Sequence, residues 1–207
     1  MNIKLLTLLS ASLFIFSSCE KDEDTSISTS TSTSTEDYLP LNIGNNWSYT
    51  GAIAYETFIN SDTTIGGKLY YKIENDQGAS NLIRKSGSDY LIIDEAVYGD
   101  NEPHVILKEK GNEGDEWGFD ISVNTYGFIT KNVYKFTIHE KLESLEVNNN
   151  LFEDVLVIDL DIETYLDGDY IMSTNDYRYY YANGIGLIKS GSALFGGYSD
   201  LVEYTVQ

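Results

Sequence analysis

Five carboxylates, Asp159, Asp161, Glu163, Asp167 and Asp169, fall within one short stretch of this chain. The first three alternate, and on an extended strand alternate side chains share a face about 7 Å apart. Carboxylates at that spacing suit a calcium ion or the acid and base of a glycosidase. Asp159, Asp161 and Glu163 are therefore the candidate calcium ligands, although the stretch lacks the glycine-punctuated loop of a calcium motif. The solvent face of a strand in a strongly acidic protein has the same appearance. His104 and His139 stand apart, with no serine or cysteine nucleophile motif beside either. Gly-x-Ser-x-Gly, His-Glu-x-x-His and the phosphate-cradling Gly-x-x-x-x-Gly-Lys are all missing, which argues against an enzyme and for no cofactor. The densest aromatic cluster is Tyr177, Tyr179, Tyr180 and Tyr181 around Arg178. In a strand, Tyr177, Tyr179 and Tyr181 share one face, opposite Arg178 and Tyr180. They are candidates for stacking on a ligand or for a ladder of cross-strand aromatic pairs.

The chain that positions these residues has 207 residues, 33 acidic against 13 basic, and a formal charge of -20. Such a surface repels phosphate backbones, so nucleic acid is excluded as a partner. One cysteine and two histidines are too few for a disulfide framework or a zinc site. Two prolines against 17 tyrosines describe a β-rich folded protein.

Residues 1–18 read as a secretory signal, with Lys4 before an apolar run from Leu5 to Phe16. That run falls short of the roughly 20 apolar residues that a spanning helix needs. It leads into Cys19, the only cysteine. Phe16-Ser17-Ser18-Cys19 resembles a bacterial lipobox, with an aromatic where that motif usually has leucine; the resemblance implies that Cys19 becomes the acylated N-terminus. The next residues, Glu20, Lys21, Asp22, Glu23 and Asp24, resemble the surface-export signal of Bacteroidota lipoproteins. This implies a lipid anchor in the outer membrane with the protein facing the cell surface, the alternative being its periplasmic face. Ten of the eleven residues from Thr25 to Thr35 are serine or threonine. They cannot bury enough apolar surface to offset the entropy of ordering them. Residues 19–37 are thus expected to be a disordered tether with a root-mean-square reach of about 25 Å.

Residues 38–207 read as one antiparallel β domain of nine to eleven strands. Val155 to Thr164 alternates most clearly, with Leu156, Ile158, Leu160 and Ile162 on one face and Val155, Val157, Asp159, Asp161 and Glu163 on the other. Trp47 to Ile59, Leu69 to Glu74, Tyr134 to His139 and Leu201 to Val206 alternate as well, and hairpin-forming residues separate the segments. Glu140 to Val147 has the composition of a short helix. So many strands cannot stay flat. A strongly curved sheet or half-open barrel is expected, with a two-sheet sandwich as the alternative.

Two further patterns carry a resemblance. Tyr38-Leu39-Pro40-Leu41-Asn42-Ile43-Gly44-Asn45-Asn46-Trp47 and Tyr179-Tyr180-Tyr181-Ala182-Asn183-Gly184-Ile185-Gly186-Leu187-Ile188, with Gly114-Asp115-Glu116-Trp117 between them, resemble uncharacterised secreted lipoproteins of Bacteroidota. The resemblance implies a fold and an address and carries no reaction. On physical grounds Trp47 and Trp117 are expected to anchor strands at turns, and Gly184 and Gly186 to let the chain bend close to another backbone. The expected function is a non-enzymatic envelope lipoprotein that binds a ligand, a glycan or an envelope protein on its β domain. The alternatives are a glycan hydrolase using a carboxylate pair, and a lipid carrier or assembly chaperone with an apolar cavity.

Overall fold

The computed structural model describes residues 37–93, 102–194 and 196–207. The signal segment 1–18, Cys19, the acidic residues Glu20 to Asp24 and the serine and threonine tract lie outside the described residues.

The strands are β1 (Asn46–Gly51), β2 (Tyr55–Ile65), β3 (Lys68–Asn75), β4 (Ser80–Ser86), β5 (Asp89–Ile93), β6 (His104–Lys108), β7 (Glu116–Thr125), β8 (Phe128–Val147), β9 (Asn150–Leu166), β10 (Asp169–Ala182), β11 (Gly186–Ser192) and β12 (Gly197–Thr205). They form one antiparallel sheet in the order β6-β5-β4-β3-β2-β1-β12-β11-β10-β9-β8-β7. Successive strands are neighbours except at one place. β6 and β7 follow one another in the chain yet form the two edges of the sheet, so the sheet has curled until its ends meet. No ladder joins them; side chains close the seam. The Trp117 indole N–H donates to the Val105 carbonyl at 3.1 Å, and His104 stacks on Phe119 with ring centres 4.1 Å apart. The protein is an all-β, nearly closed barrel rather than a sandwich. Among the described residues twelve strands replace the nine to eleven expected, in part because Trp47 to Ile59 divides at a turn after Gly51.

Glu140 to Val147 is strand, not helix. Its residues pair with Asn150 to Val157 of β9, and a register shift between Ile138 and Glu140 lets β8 bend before the hairpin closes at Asn148 and Asn149. Both of these asparagines have positive φ, the conformation that a two-residue hairpin turn requires. Ladder pairing thus overrides local helix propensity.

Two apolar clusters make the core. The first lies inside the barrel and includes Leu39, Ile83, Tyr90, Leu107, Phe136, Ile138, Leu156, Ile158 and Tyr181; the second gathers Trp47, Tyr49, Ile59, Phe152, Val155, Val157, Ile188 and Leu201. Leu41, Ile73 and Leu187 touch both. β9 therefore has no solvent face between Val155 and Ile158, where all four side chains are fully buried. The expected split of its two faces holds only from Asp159 upward, because the lower β8–β9 ribbon, with Leu142, Leu145 and Phe152, packs into the second cluster.

The chain joins the barrel at its lower end, defined here by the Asn183 to Ile185 turn. Gly184, at φ 74°, donates its N–H to the Asp37 carbonyl. The Tyr38 hydroxyl donates to Asp154 at 2.5 Å, and Lys85 bridges Asp37 and Glu109. Asp37, assigned to the tether from sequence, is thus a bonded part of the fold. Trp47 is 3% exposed, and its indole N–H donates to the Ile185 carbonyl at 2.7 Å. Gly186 lies against that ring, where a Cβ would come within 3.1 Å of the indole nitrogen.

Candidate functional site

At the upper end β7, β8, β9 and β10 outrun the rest of the barrel. The β10 to β11 ladder ends at Arg178 opposite Gly191, whereas β10 begins at Asp169. Across the seam, β6 reaches only to His104, level with Phe119 of β7. The strands therefore project above the rim as a four-stranded blade whose turns are Tyr126-Gly127 and Asp167-Gly168. Six further residues per strand correspond to about 20 Å.

Alternation determines what this blade presents toward the barrel mouth. On β7, Trp117, Phe119 and Ile121 pack on the inner cluster, and Val123 continues the same face. On β9 Leu160 and Ile162 do so, Thr164 and Leu166 continue their face, and register brings Phe128 and Met172 alongside. Ile121 and Leu160 are buried and Trp117, Phe119 and Ile162 half-buried, whereas Val123 is 43%, Phe128 58%, Leu166 38% and Met172 49% exposed. An apolar strip thus runs from the core of the barrel to the tip of the blade, with the hydrogen-bonded pair Asn132 and Thr164 and, beyond it, Thr130 set among its side chains. Exposed apolar side chains continue around the tip at Tyr126, Ile129, Tyr170 and Ile171. An exposed apolar surface of this kind marks a binding site more often than chance exposure does.

Tyrosines line the mouth below the blade. Tyr177, Tyr179 and Tyr181 face inward, paired with Leu160, Ile158 and Leu156, and Arg178 and Tyr180 face the other way. Tyr177 and Tyr179 are half-buried and in ring contact at 5.0 Å, while Tyr181 belongs to the buried core. From the opposite wall come Tyr49 and Tyr55, stacked at 4.6 Å, with the Tyr49 hydroxyl donating to the Leu187 carbonyl. Burial pushes the Tyr49 phenol well up, and Tyr55 and Tyr181 push it in the same direction. Burial also raises Tyr55, with Tyr177 adding to the rise and a hydrogen bond with Ser190 opposing it. Both phenols stay neutral across the physiological range and present aromatic faces and hydroxyls.

The sequence-derived carboxylates lie elsewhere. Asp159 is on the convex face, where it accepts from Arg178 at 2.6 Å and contacts His139 at 2.7 Å. Asp161 lies opposite Lys135 in the register, and Glu163 pairs with Lys135 at 2.5 Å and accepts from the Tyr165 hydroxyl. Asp167 accepts from the Ile129 N–H and so caps a turn. Asp159 and Glu163 are paired with cross-strand bases and Asp167 caps a turn, so these carboxylates do not converge in a pocket, and the geometry lends no support to a glycosidase pair. Among the described residues no three His, Cys, Asp or Glu side chains are grouped as a metal site would require. A polar pocket of about 210 Å3 at the lower end is lined by Tyr38, Glu109, Lys110, Asp154 and Asn183. It lies where the chain joins the barrel.

Sequence reasoning missed the blade. A signal was present, since Tyr126-Gly127-Phe128-Ile129 and Tyr170-Ile171-Met172 put large apolar residues beside hairpin turns, where polar ones are usual.

No protein-family profile matches this chain, and no curated protein sequence matches it. Two solved structures are similar to it. A candidate lipoprotein of Parabacteroides distasonis ATCC 8503 aligns over 81% of this chain and 98% of its own at 11% identity, with a TM-score of 0.50. A candidate exported protein with a YmcC-like fold from Bacteroides fragilis NCTC 9343 aligns over 83% and 100% at 9% identity, with a TM-score of 0.45.

Proposed function

We propose that this chain is a lipid-anchored lipoprotein of the bacterial envelope, exposed on the outer membrane, that holds an apolar or amphipathic ligand against its concave face and performs no chemistry on it. The observation that carries the binding reading is the largely apolar strip from Phe119 and Tyr177 to Phe128 and Met172, half-buried at the mouth, exposed on the blade and crossed by the Asn132–Thr164 hydrogen bond. The anchor rests on Cys19 after a short apolar segment, on the acidic residues that follow it, and on the lipoprotein designation of a protein with a similar fold. Asp37, the first described residue, is bonded to the barrel at the end opposite the blade. An anchored domain would therefore hold its mouth away from the membrane, where a ligand or an envelope partner can reach it. The same strip suits the carrier or chaperone reading better than the hydrolase one, because the carboxylates lie on the convex side.

Two measurements test this reading. Cys19→Ser should move the protein from the membrane to the soluble fraction; unchanged membrane association would remove the lipid anchor from the proposal. The neutral apolar dye N-phenyl-1-naphthylamine should fluoresce on binding the full chain. The double variant Leu166→Lys, Met172→Lys should weaken that binding by about fivefold, the equivalent of about 1 kcal/mol of lost apolar contact. Its melting point should hold, since both residues are at least 38% exposed. A parent protein that leaves the dye dark would sink the ligand reading.

A further inference from the structure

The edge of a β-sheet presents a row of backbone N–H and C=O groups that will pair with another strand unless something prevents it. Two edges near the barrel mouth carry such protection. β6 is only five residues long and begins directly after Pro103. The upper part of β10 shifts register between Tyr170 and Met172 and again between Thr174 and Tyr177, with Asp176 at φ 76°. Bulges of this kind twist an edge and interrupt pairing. β7 has neither device. It pairs with β8 without a register shift from Glu116 to Thr125 and contains no proline. Above Phe119, no strand among the described residues pairs with its other side.

The available stretch is Asp120 to Thr125. Its inner row, Ile121 and Val123, belongs to the apolar strip, and Ser122 and Asn124 are exposed on the outer row with Asp120. A strand added here would extend the blade by one position. Its inward side chains would continue the apolar face beside Ile121 and Val123, and its outward ones would stand beside Ser122, Asn124 and Asp120, which pairs with Lys131 at 2.8 Å. The charge of -20 attracts cationic segments over a distance and opposes the approach of a second copy. We infer that β7 from Asp120 to Thr125 is a strand-addition site for an extended segment of a partner protein in which apolar side chains alternate with lysine or arginine. Main-chain pairing supplies affinity in such a complex, and the alternating side chains supply selectivity. The edge shares Ile121 and Val123 with the dye-binding strip, but its backbone ladder is read by the methylated peptides and not by the dye, so either can fail without the other.

The test is fluorescence anisotropy on the full chain with a labelled octapeptide of alternating valine and lysine. Two derivatives are compared, one N-methylated at every valine and one at every lysine. In a strand, the N–H groups of alternate residues point to the same side. One derivative therefore loses the ladder and should bind at least about tenfold more weakly, while the other keeps it and should bind within about twofold of the parent. Replacing lysine by glutamate in the peptide should abolish binding. Val123→Lys on the protein should weaken the unmodified peptide by about tenfold with little change in melting point, because Val123 is 43% exposed at an edge. The proposal is overturned if the peptide does not bind, if both methylated forms lose affinity equally, or if a scrambled sequence of the same composition binds as tightly. A dimer in sedimentation that Val123→Lys dissociates would assign the edge to a second copy and overturn the partner named here.

Discussion

Trp47→Ala is expected to lower the unfolding free energy by about 3 to 5 kcal/mol, the usual range for truncating a buried tryptophan. Trp47 is 3% exposed, sits in the second core cluster, and donates to the Ile185 carbonyl at 2.7 Å. Its loss removes a filled volume and leaves that carbonyl without its donor. It also vacates the ring against which Gly186 closes the β10–β11 turn. A domain of this size loses about 2 to 4 °C of melting temperature per kcal/mol, so a fall of roughly 6 to 20 °C is expected by circular dichroism. Trp47→Phe keeps a ring and loses the hydrogen bond, and should fall by about 1 to 2 kcal/mol; it serves if the alanine variant does not fold. Trp117→Ala should cost less, because that ring is half-buried at the seam and its hydrogen bond to Val105 joins edges that no ladder holds. A Trp47→Ala protein melting within about 2 °C of the parent would refute the anchoring role.

The second large effect is expected from Lys85→Met. Lys85 reaches from β4 to Asp37 and to Glu109, whose side chain is 5% exposed, and Glu109 lies in turn within 3.3 Å of the Tyr90 hydroxyl. Removing one partner of a buried pair leaves the other charge uncompensated, which costs about 3 to 5 kcal/mol when burial is complete. Lys85 itself retains 27% exposure, so the lower end of that range is expected. Burial alone would lower the Lys85 pKa, but its hydrogen bonds to Asp37 and Glu109 outweigh that and raise it well above the ordinary lysine value. A raised folded-state pKa contributes stability that is fully present below the unfolded value of about 10.4 and is lost as pH rises through the folded one. The gap in stability between parent and Lys85→Met should therefore be constant from pH 6 to about 9 and shrink only in strong alkali. Melting curves across that range check it, and a gap that closes near neutrality would mean that the lysine is not the group responsible.

By itself the sequence determined the secondary structure of most of this protein and the positions of its turns. Period-two alternation depends on neighbouring residues only, so β3, the end of β12 from Leu201 and the upper half of β9 were legible, as was the division of Tyr177, Tyr179 and Tyr181 from Arg178 and Tyr180. Hairpin turns were legible for the same reason, because positive φ at Asn148, Asn149 and Gly168 favours particular residue types wherever it occurs. Other features depended on partners distant in the chain. Glu140 to Val147 reads as helix until β9 pairs with it, and Val155 and Val157 read as solvent-facing until Phe152 and Trp47 join them in a cluster. Alternation shows that a strand has two faces, but only the curl of the whole sheet decides which face is enclosed. That curl put the carboxylates Asp159, Asp161 and Glu163 outside among basic partners and the tyrosines inside. The blade, too, exists only in the assembled sheet. It arises because β7 to β10 are longer than the strands flanking them, and a strand acquires an exposed edge only where its neighbour ends.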